Sequence, residues 1–226
     1  GGPCVCNPEP LADFIDVFEI GEGEEVMLEF LDLLNEYKNS GKTRSEFLIA
    51  ASKIEGIYVP SLYDIEYNED GTIKSITAKN GAPEKINKRV VADLDSVFYP
   101  DKFVVPFVEV VHDRVVHEIF RGCIRGCRFC QAGFWYRPIR EKSVDTISKQ
   151  SQKLACTSGY DELSLCSLSS SDYTKITELL EELLGWAVPQ KINVALPSLR
   201  IDNFSDELRE KFLKAANINL GGDLDE

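Results

Sequence analysis

The second half of the chain alternates short apolar runs with longer segments whose apolar residues recur at helical spacing. Runs of the first kind predict strands and segments of the second kind predict amphipathic helices. The predicted order is a strand at 115–120, a helix at 143–157, a strand at 162–168, a helix at 172–187, a strand at 192–196 and a helix at 205–216. Three successive β-α repeats predict a parallel sheet with right-handed crossovers.

The predicted helix at 172–187 has the clearest pattern. Its apolar residues recur at i, i+3, i+4, i+7 and i+8, which puts them on one buried face: Ile176, Leu179, Leu180, Leu183 and Leu184. Ser171 or Asp172 is expected to cap its start, and Ser205 is expected to cap the following helix. Loops that follow parallel strands meet at the carboxyl edge of the sheet, where β/α barrels keep their active sites.

The first 38 residues carry a different pattern. An apolar run at 14–20 predicts a strand, and it is followed by a glycine- and glutamate-rich turn and by an amphipathic stretch. One β-α unit cannot bury a parallel sheet alone. Residues 1–38 are therefore interpreted as the last piece of an α/β domain, and the chain as a fragment of a longer protein.

Residues 39–111 predict a connecting module. A short helix at 44–52 precedes two alternating runs at 62–67 and 72–77. The sequence Asn68-Glu69-Asp70-Gly71 lies between those runs, and Asp-Gly between β-type runs is a strong hairpin signal. The remaining residues, 112–226, form the third predicted domain.

Three cysteines, Cys123, Cys127 and Cys130, lie on the predicted loop after the strand at 115–120. The C-x3-C-x2-C spacing lets three thiolates reach three irons of a cubane cluster, which leaves one iron open for chemistry. A zinc-stabilised adaptor and an electron-transfer or sensing cluster are the alternatives, although the second zinc knuckle or fourth cysteine that they need is not apparent. His112 and His117 are interpreted as satisfied structural histidines.

The cysteine run resembles the signature of the radical S-adenosylmethionine (radical SAM) enzymes, and Phe129 before the last cysteine fits that pattern. The order of elements is similar to the first half of their partial (βα)6 TIM-like barrel. Segments such as 134–138 and 168–172 look like those of poorly characterised radical SAM proteins with a cobalamin-binding domain. Residues 1–38 would then be the C-terminal remnant of that Rossmann-like α/β domain, followed by the hairpin-containing linker.

The resemblance implies roles for individual residues. The cluster cysteines would hold a [4Fe-4S] cluster that cleaves S-adenosyl-L-methionine reductively to a 5'-deoxyadenosyl radical. The backbone near Phe129 would meet the adenine, and the rest of the cofactor would lie near Ser169, Ser170, Ser171, Asp172, Ser198 and Arg200. Cobalamin is allowed only in a longer protein, because no histidine precedes His112. The implied partners are an unknown substrate and a reductant such as flavodoxin or ferredoxin.

Composition indicates the cellular compartment. No run approaches the about 18 apolar residues of a membrane span. Seven cysteines with one tight cluster favour a reducing compartment over a disulfide framework, so the predicted location is the cytoplasm, without a membrane partner.

The net charge is −13, which disfavours nonspecific binding of nucleic acid by the whole surface. Residues 112–142, however, contain seven basic and three acidic side chains, a net charge of +4. These cations would attract an anionic substrate, balance the cluster thiolates or simply be solvated. Nucleic acid is therefore not excluded as a partner near this segment.

Overall fold

The structure is a computed structural model that describes residues 2–108, 110–200 and 210. The chain divides into two compact units, residues 1–92 and 93–226. The predicted division into 1–38, 39–111 and 112–226 is untested by these units and stays a prediction.

The first unit combines two helices with two antiparallel strand pairs. Its elements are β1 Phe18–Glu19, α1 Gly23–Lys38, α2 Arg44–Ala51, β2 Ile57–Tyr58, β3 Tyr63–Tyr67 and β4 Ile73–Ala78. Short 3-10 helices cover Pro3–Cys6, Glu9–Leu11 and Pro60–Leu62. Its buried core is formed by Val5, Phe18, Val26, Leu48, Ala51, Ile57, Tyr58, Val59, Leu62, Tyr63 and Ala82.

The predicted strand at 14–20 is wrong over most of its length. The backbone N–H groups of Phe14 and Ile15 donate to the carbonyl oxygen of Leu11, so they are used in a turn rather than in a sheet. Only β1 remains, and it pairs antiparallel with β2.

The predicted hairpin is confirmed, since β3 and β4 pair antiparallel on either side of the Asp-Gly turn. Gly71 has a φ of 82°, a backbone angle that glycine adopts without a steric penalty. The Asp70 side chain accepts from the Thr72 backbone N–H at 3.0 Å, which holds the turn. Helix α2 begins with a capping box, in which Thr43 and Glu46 satisfy each other's backbone N–H groups.

The second unit contains the predicted parallel sheet. Its elements are β5 Val115–Glu118, β6 Phe120–Arg121, α3 Ala132–Trp135, β7 Arg140–Glu141, α4 Val144–Ser158, β8 Glu162–Cys166, a 3-10 helix Ser170–Asp172, α5 Ile176–Ala187 and β9 Asn193–Ala195. The strand order is β5-β8-β9, and both pairings are parallel, as predicted.

The two faces of strand β5 differ in burial. In β5, Val115 and His117 are buried, whereas Val116 between them is half exposed. Helices α4 and α5 cover the buried face, and the core there consists of Val115, Ile119, Phe120, Val144, Ile147, Leu154, Ala155, Leu163, Leu165, Tyr173, Leu179, Leu180, Leu183, Ala187, Ile192 and Leu196. The alternation leaves the other face of β5 open.

Helix α4 agrees closely with its prediction. The Ser143 hydroxyl accepts from the Thr146 backbone N–H at 3.2 Å and caps its start, while Gly159 ends it in a left-handed conformation.

Helix α5 starts later than predicted. The N-cap is Lys175, without a side-chain cap bond, so the predicted capping by Ser171 or Asp172 is wrong. The 3-10 helix Ser170–Asp172 occupies the expected first turn. The predicted helix at 205–216, with Ser205 as its cap, lies outside the described residues.

Strands β6 and β7 and the short helix α3 were not predicted from the sequence. The described residues form small sheets of two or three strands, which agrees with the α/β class. Among the described helices, none has the length and apolar character needed to span a bilayer.

Candidate functional site

The loop that carries the three cysteines is closed at its base. Strands β6 and β7 pair antiparallel, with Phe120 opposite Glu141 and Arg121 opposite Arg140. The chain that leaves β6 at Gly122 thereby returns to β7, and we call residues 122–139 the cysteine loop.

Gly122 fixes the start of the cysteine loop. It is buried with a φ of 99°, and a Cβ atom there would lie 2.7 Å from the Tyr136 carbonyl oxygen. Any larger residue would push against the returning chain as well as adopt an unfavourable backbone angle. The glycine therefore lets the two ends of the loop approach.

Cys123, Cys127 and Cys130 are free and partly exposed. The backbone N–H of Cys130 donates to the Cys127 carbonyl oxygen at 3.0 Å, which makes a tight turn between them. As positioned, no group of three or more His, Cys, Asp or Glu side chains in the described part of the chain could hold a metal ion. The donor set itself fits an iron–sulfur cluster, because three free thiols share one short loop.

The turn after β8, residues 167–172, brings hydroxyl groups to the same edge of the sheet, and we call it the serine turn. Ser169, Ser170 and Ser171 are all buried. The hydroxyls of Ser167 and Ser170 are 2.8 Å apart, whereas the buried Ser169 hydroxyl has no partner among the described residues. An unpartnered buried hydroxyl is costly, so it marks a position where a polar ligand group would be favourable.

The loop after β9 contacts both the serine turn and the cysteine loop. The Ser170 backbone N–H donates to the Ser198 carbonyl oxygen at 3.1 Å, and the Arg200 backbone N–H donates to the Ser171 hydroxyl at 3.3 Å. The Arg200 guanidinium lies 3.8 Å from the Cys127 sulfur. The chain thus brings Arg200 from the third loop to one of the three cysteines of the cysteine loop.

A two-point ion pair also joins the cysteine loop to the serine turn. Arg125 Nε donates to Asp172 Oδ2 at 2.8 Å, and Arg125 Nη2 contacts the other carboxylate oxygen. The Asp172 side chain is only 6% exposed. Its carboxylate is therefore already engaged by Arg125, which the sequence did not single out for this contact.

Phe129 differs from the other predicted cofactor residues. Its side chain is 92% exposed. The described residues thus leave this ring almost uncovered, and its predicted neighbourhood with the adenine stays a prediction.

Two acidic or nucleophilic groups on the face of the sheet opposite His117 were missed from the sequence. Glu118 and Cys166 lie opposite each other in the β5-β8 register, so their side chains share a face. Burial and the Glu118 charge raise the pKa of the Cys166 thiol. Arg121 binds both Glu118 carboxylate oxygens, at 3.0 and 2.9 Å. The signal was available, because both residues end strands that lead into the site.

His117 lies on the covered face of the sheet. Its ring is 4.7 Å from that of Tyr99, and Lys142 lies 4.3 Å above the same tyrosine ring. Burial, followed by the charge of Lys142, lowers the pKa of His117 to about 3. Neither ring nitrogen has a partner among the described residues, so the expectation of a satisfied histidine is wrong, although its buried position is structural.

Two comparisons bear on the origin of this arrangement. Residues 1–60 match the family model described as "Radical SAM proteins, N-terminal". Over 223 residues the chain is 30% identical to the uncharacterized protein MJ0966 of Methanocaldococcus jannaschii, an alignment that covers 97% of this chain and 41% of that protein. The chain thus spans less than half the length of this relative. The family match supports a relation to the radical SAM superfamily.

Proposed function

We propose that this chain is part of a radical SAM enzyme, with a [4Fe-4S] cluster held by Cys123, Cys127 and Cys130. The observation that carries the proposal is the contact of three loops at the carboxyl edge of one parallel sheet. One of them bears the three thiols, and Arg200 of another lies 3.8 Å from Cys127. The family match at residues 1–60 supports the same superfamily.

The cluster, when bound, supplies the electron that cleaves S-adenosyl-L-methionine to methionine and a 5'-deoxyadenosyl radical. The chain's own part is binding and orientation. The Arg200 guanidinium brings a positive charge next to the Cys127 sulfur, where it would balance part of the negative charge of a thiolate-ligated cluster. Asp172 acts through Arg125, since their ion pair holds the cysteine loop against the serine turn.

The cofactor's polar end is assigned to the serine turn. Ser169, Ser170 and Ser171 offer hydroxyl and backbone groups there, and the Ser169 hydroxyl is the one that lacks a partner among the described residues. Ser198 and Arg200 complete the polar wall on the side of the third loop. The backbone near Phe129 is assigned to the adenine on the strength of the sequence resemblance alone.

The larger architecture is part of the same proposal. The sheet β5-β8-β9 would be the first half of a partial (βα)6 TIM-like barrel, and residues 1–38 the remnant of a cobalamin-binding-like domain. Cobalamin itself would bind only a longer protein. A flavodoxin or ferredoxin would supply electrons in the cytoplasm.

The test is anaerobic reconstitution of the chain with iron and sulfide, followed by reduction and addition of S-adenosyl-L-methionine. The expected result is 5'-deoxyadenosine that disappears in Cys127→Ala. Cys156→Ala is the matched control, because Cys156 is an exposed free cysteine on helix α4 outside the site.

Other results would contradict the proposal in distinguishable ways. A cluster without product, both here and in a longer protein that contains the chain, would favour an electron-transfer or sensing protein. Bound zinc without iron would favour a structural adaptor. 5'-Deoxyadenosine that still forms in Cys127→Ala would show that Cys127 is not a required cluster ligand.

A further inference from the structure

The cysteine loop carries large aromatic side chains that point away from the core. Phe129 is 92% exposed and Phe134 is 71% exposed, and Tyr136 is also exposed. Arg128 and Arg137, both exposed, flank them in the sequence: Arg128 precedes Phe129 and Arg137 follows Tyr136. We call these five residues the aromatic–arginine patch, and we infer that it binds single-stranded nucleic acid.

The charge of the patch is opposite to that of the protein. The whole chain has a net charge of −13, yet no acidic residue occurs between Arg121 and Glu141. Arg128 makes no hydrogen bond or ion pair with the described residues. Phosphate groups are the anions that guanidinium groups bind with two-point geometry, so the patch is complementary to a phosphate backbone.

Binding of a single strand also requires surfaces on which its bases can stack, and the aromatic rings supply them. The Arg137 guanidinium lies 5.9 Å from the centre of the Phe134 ring, which places a cation over an aromatic face. Exposed rings next to arginines are the stacking platforms on which unpaired bases lie in proteins that bind single strands. A duplex keeps its bases stacked on one another and cannot use such rings.

A protein partner is the competing occupant, because aromatic residues and arginine are also enriched in protein–protein interfaces. The charge is what favours nucleic acid here, since the loop between Arg121 and Glu141 carries arginines and no acidic residue. A membrane surface would need a longer amphipathic helix, and the helix in this loop, α3, has four residues.

The inference deepens the proposed function and rests on it for the reaction, although not for binding. Because Phe129 immediately precedes Cys130, a strand bound along the patch passes beside the assigned cluster ligands. The substrate class would then be a nucleotide within a single strand.

The experiment is a titration of a fluorescein-labelled single-stranded RNA of about 12 nucleotides with the purified chain, followed by fluorescence anisotropy. It requires neither cluster nor S-adenosyl-L-methionine, so its failure is separate from failure of the proposed function. Phe134→Ala and Phe129→Ala are each expected to weaken binding about fivefold or more, the loss that a missing stacking ring produces. Phe98→Ala, which removes a ring that is 86% exposed elsewhere in the same unit, should change binding by less than about twofold.

The salt dependence tests the arginines separately. For single strands, log K falls with log salt by about 0.7 for each phosphate contact. Arg137→Gln should therefore reduce that slope by about 0.7, while Arg44→Gln in the first unit should leave it unchanged.

Three results would overturn the inference: no binding of the single strand at low salt, equally tight binding of a duplex of the same length, or equal loss in Phe98→Ala. Capture of an acidic peptide in place of the RNA would instead assign the patch to a protein partner. Circular dichroism melting of each variant separates loss of binding from loss of fold.

Discussion

The guanidinium of Arg125 and the carboxylate of Asp172 form a two-point contact between two loops that are 47 positions apart in sequence. Asp172 is nearly buried and Arg125 is 29% exposed. Removal of the carboxylate charge would take an ion-pair partner away from a partly buried guanidinium.

We therefore expect Asp172→Asn to lower the free energy of unfolding by roughly 1–3 kcal/mol. Arg125→Lys keeps the charge but loses the planar guanidinium group. It should therefore lower the free energy of unfolding by less than Asp172→Asn does. Urea denaturation measures both. Lys149→Gln is the control, because its pair with Asp145 is exposed on α4, and a loss as large there would mean that the buried geometry contributes nothing.

The two glycines of the cysteine loop with positive φ allow a matched comparison. Gly122→Ala should cost more than Gly126→Ala, because only at Gly122 would the new Cβ meet a carbonyl oxygen at 2.7 Å. The left-handed backbone alone costs about 1–2 kcal/mol for alanine, and the contact adds to it. Urea denaturation of both variants measures the difference, and equal losses would show that the loop base is not held as described.

His117 should make the protein sensitive to acid. Its pKa is about 3 in the folded protein, because of burial first and Lys142 second, against the ordinary histidine pKa of 6.5. Below pH 6.5 the unfolded chain takes up a proton that the folded protein does not. Stability should thus fall by up to about 1.4 kcal/mol per pH unit from pH 6.5 towards 3, and be unaffected by this group above pH 6.5.

The His117→Leu variant tests this dependence. Its stability should fall less steeply than that of the wild type over the same pH range. At neutral pH its stability should not drop, since the substitution removes two ring nitrogens that have no partner among the described residues. His112→Gln controls for the loss of a surface histidine. Parallel stability curves for wild type and His117→Leu would contradict the assignment.

Arg200 is expected to matter for the proposed chemistry more than for the fold. Arg200→Gln removes the cation 3.8 Å from the Cys127 sulfur, and we expect 5'-deoxyadenosine formation to fall about tenfold or more. Melting of the variant should change little. Arg140→Gln, at the base of the cysteine loop, is the control. Equal 5'-deoxyadenosine formation by Arg200→Gln and wild type would show that Arg200 has no role in the proposed chemistry.

Regular periodicity made much of the second unit predictable. Helix α4 and the parallel pairing of β5, β8 and β9 follow from local patterns, because alternation and helical spacing are decided within a few residues. The prediction of a strand at 14–20 was wrong because apolar residues alone do not decide the backbone pairing. The N–H groups of Phe14 and Ile15 donate to the Leu11 carbonyl oxygen in a turn.

The contacts that organise the site are long-range and have no local signature. Asp172 has the sequence position of a helix cap, and only the folded chain shows that Arg125 engages it. The proximity of Arg200 and Cys127 likewise depends on the register of three strands. The ribbon β6-β7 was missed because two-residue strands carry too little pattern to detect.

The ribbon also changes the thermodynamics of any assembly at the three thiols. Free loop ends lose configurational freedom when they are brought together, and this entropy cost rises with loop length. Strands β6 and β7 have already closed the segment before a ligand arrives. When a ligand binds the three thiols, the residues left to order are those between Gly122 and Cys130. The entropy cost of binding is therefore smaller than it would be for an open segment.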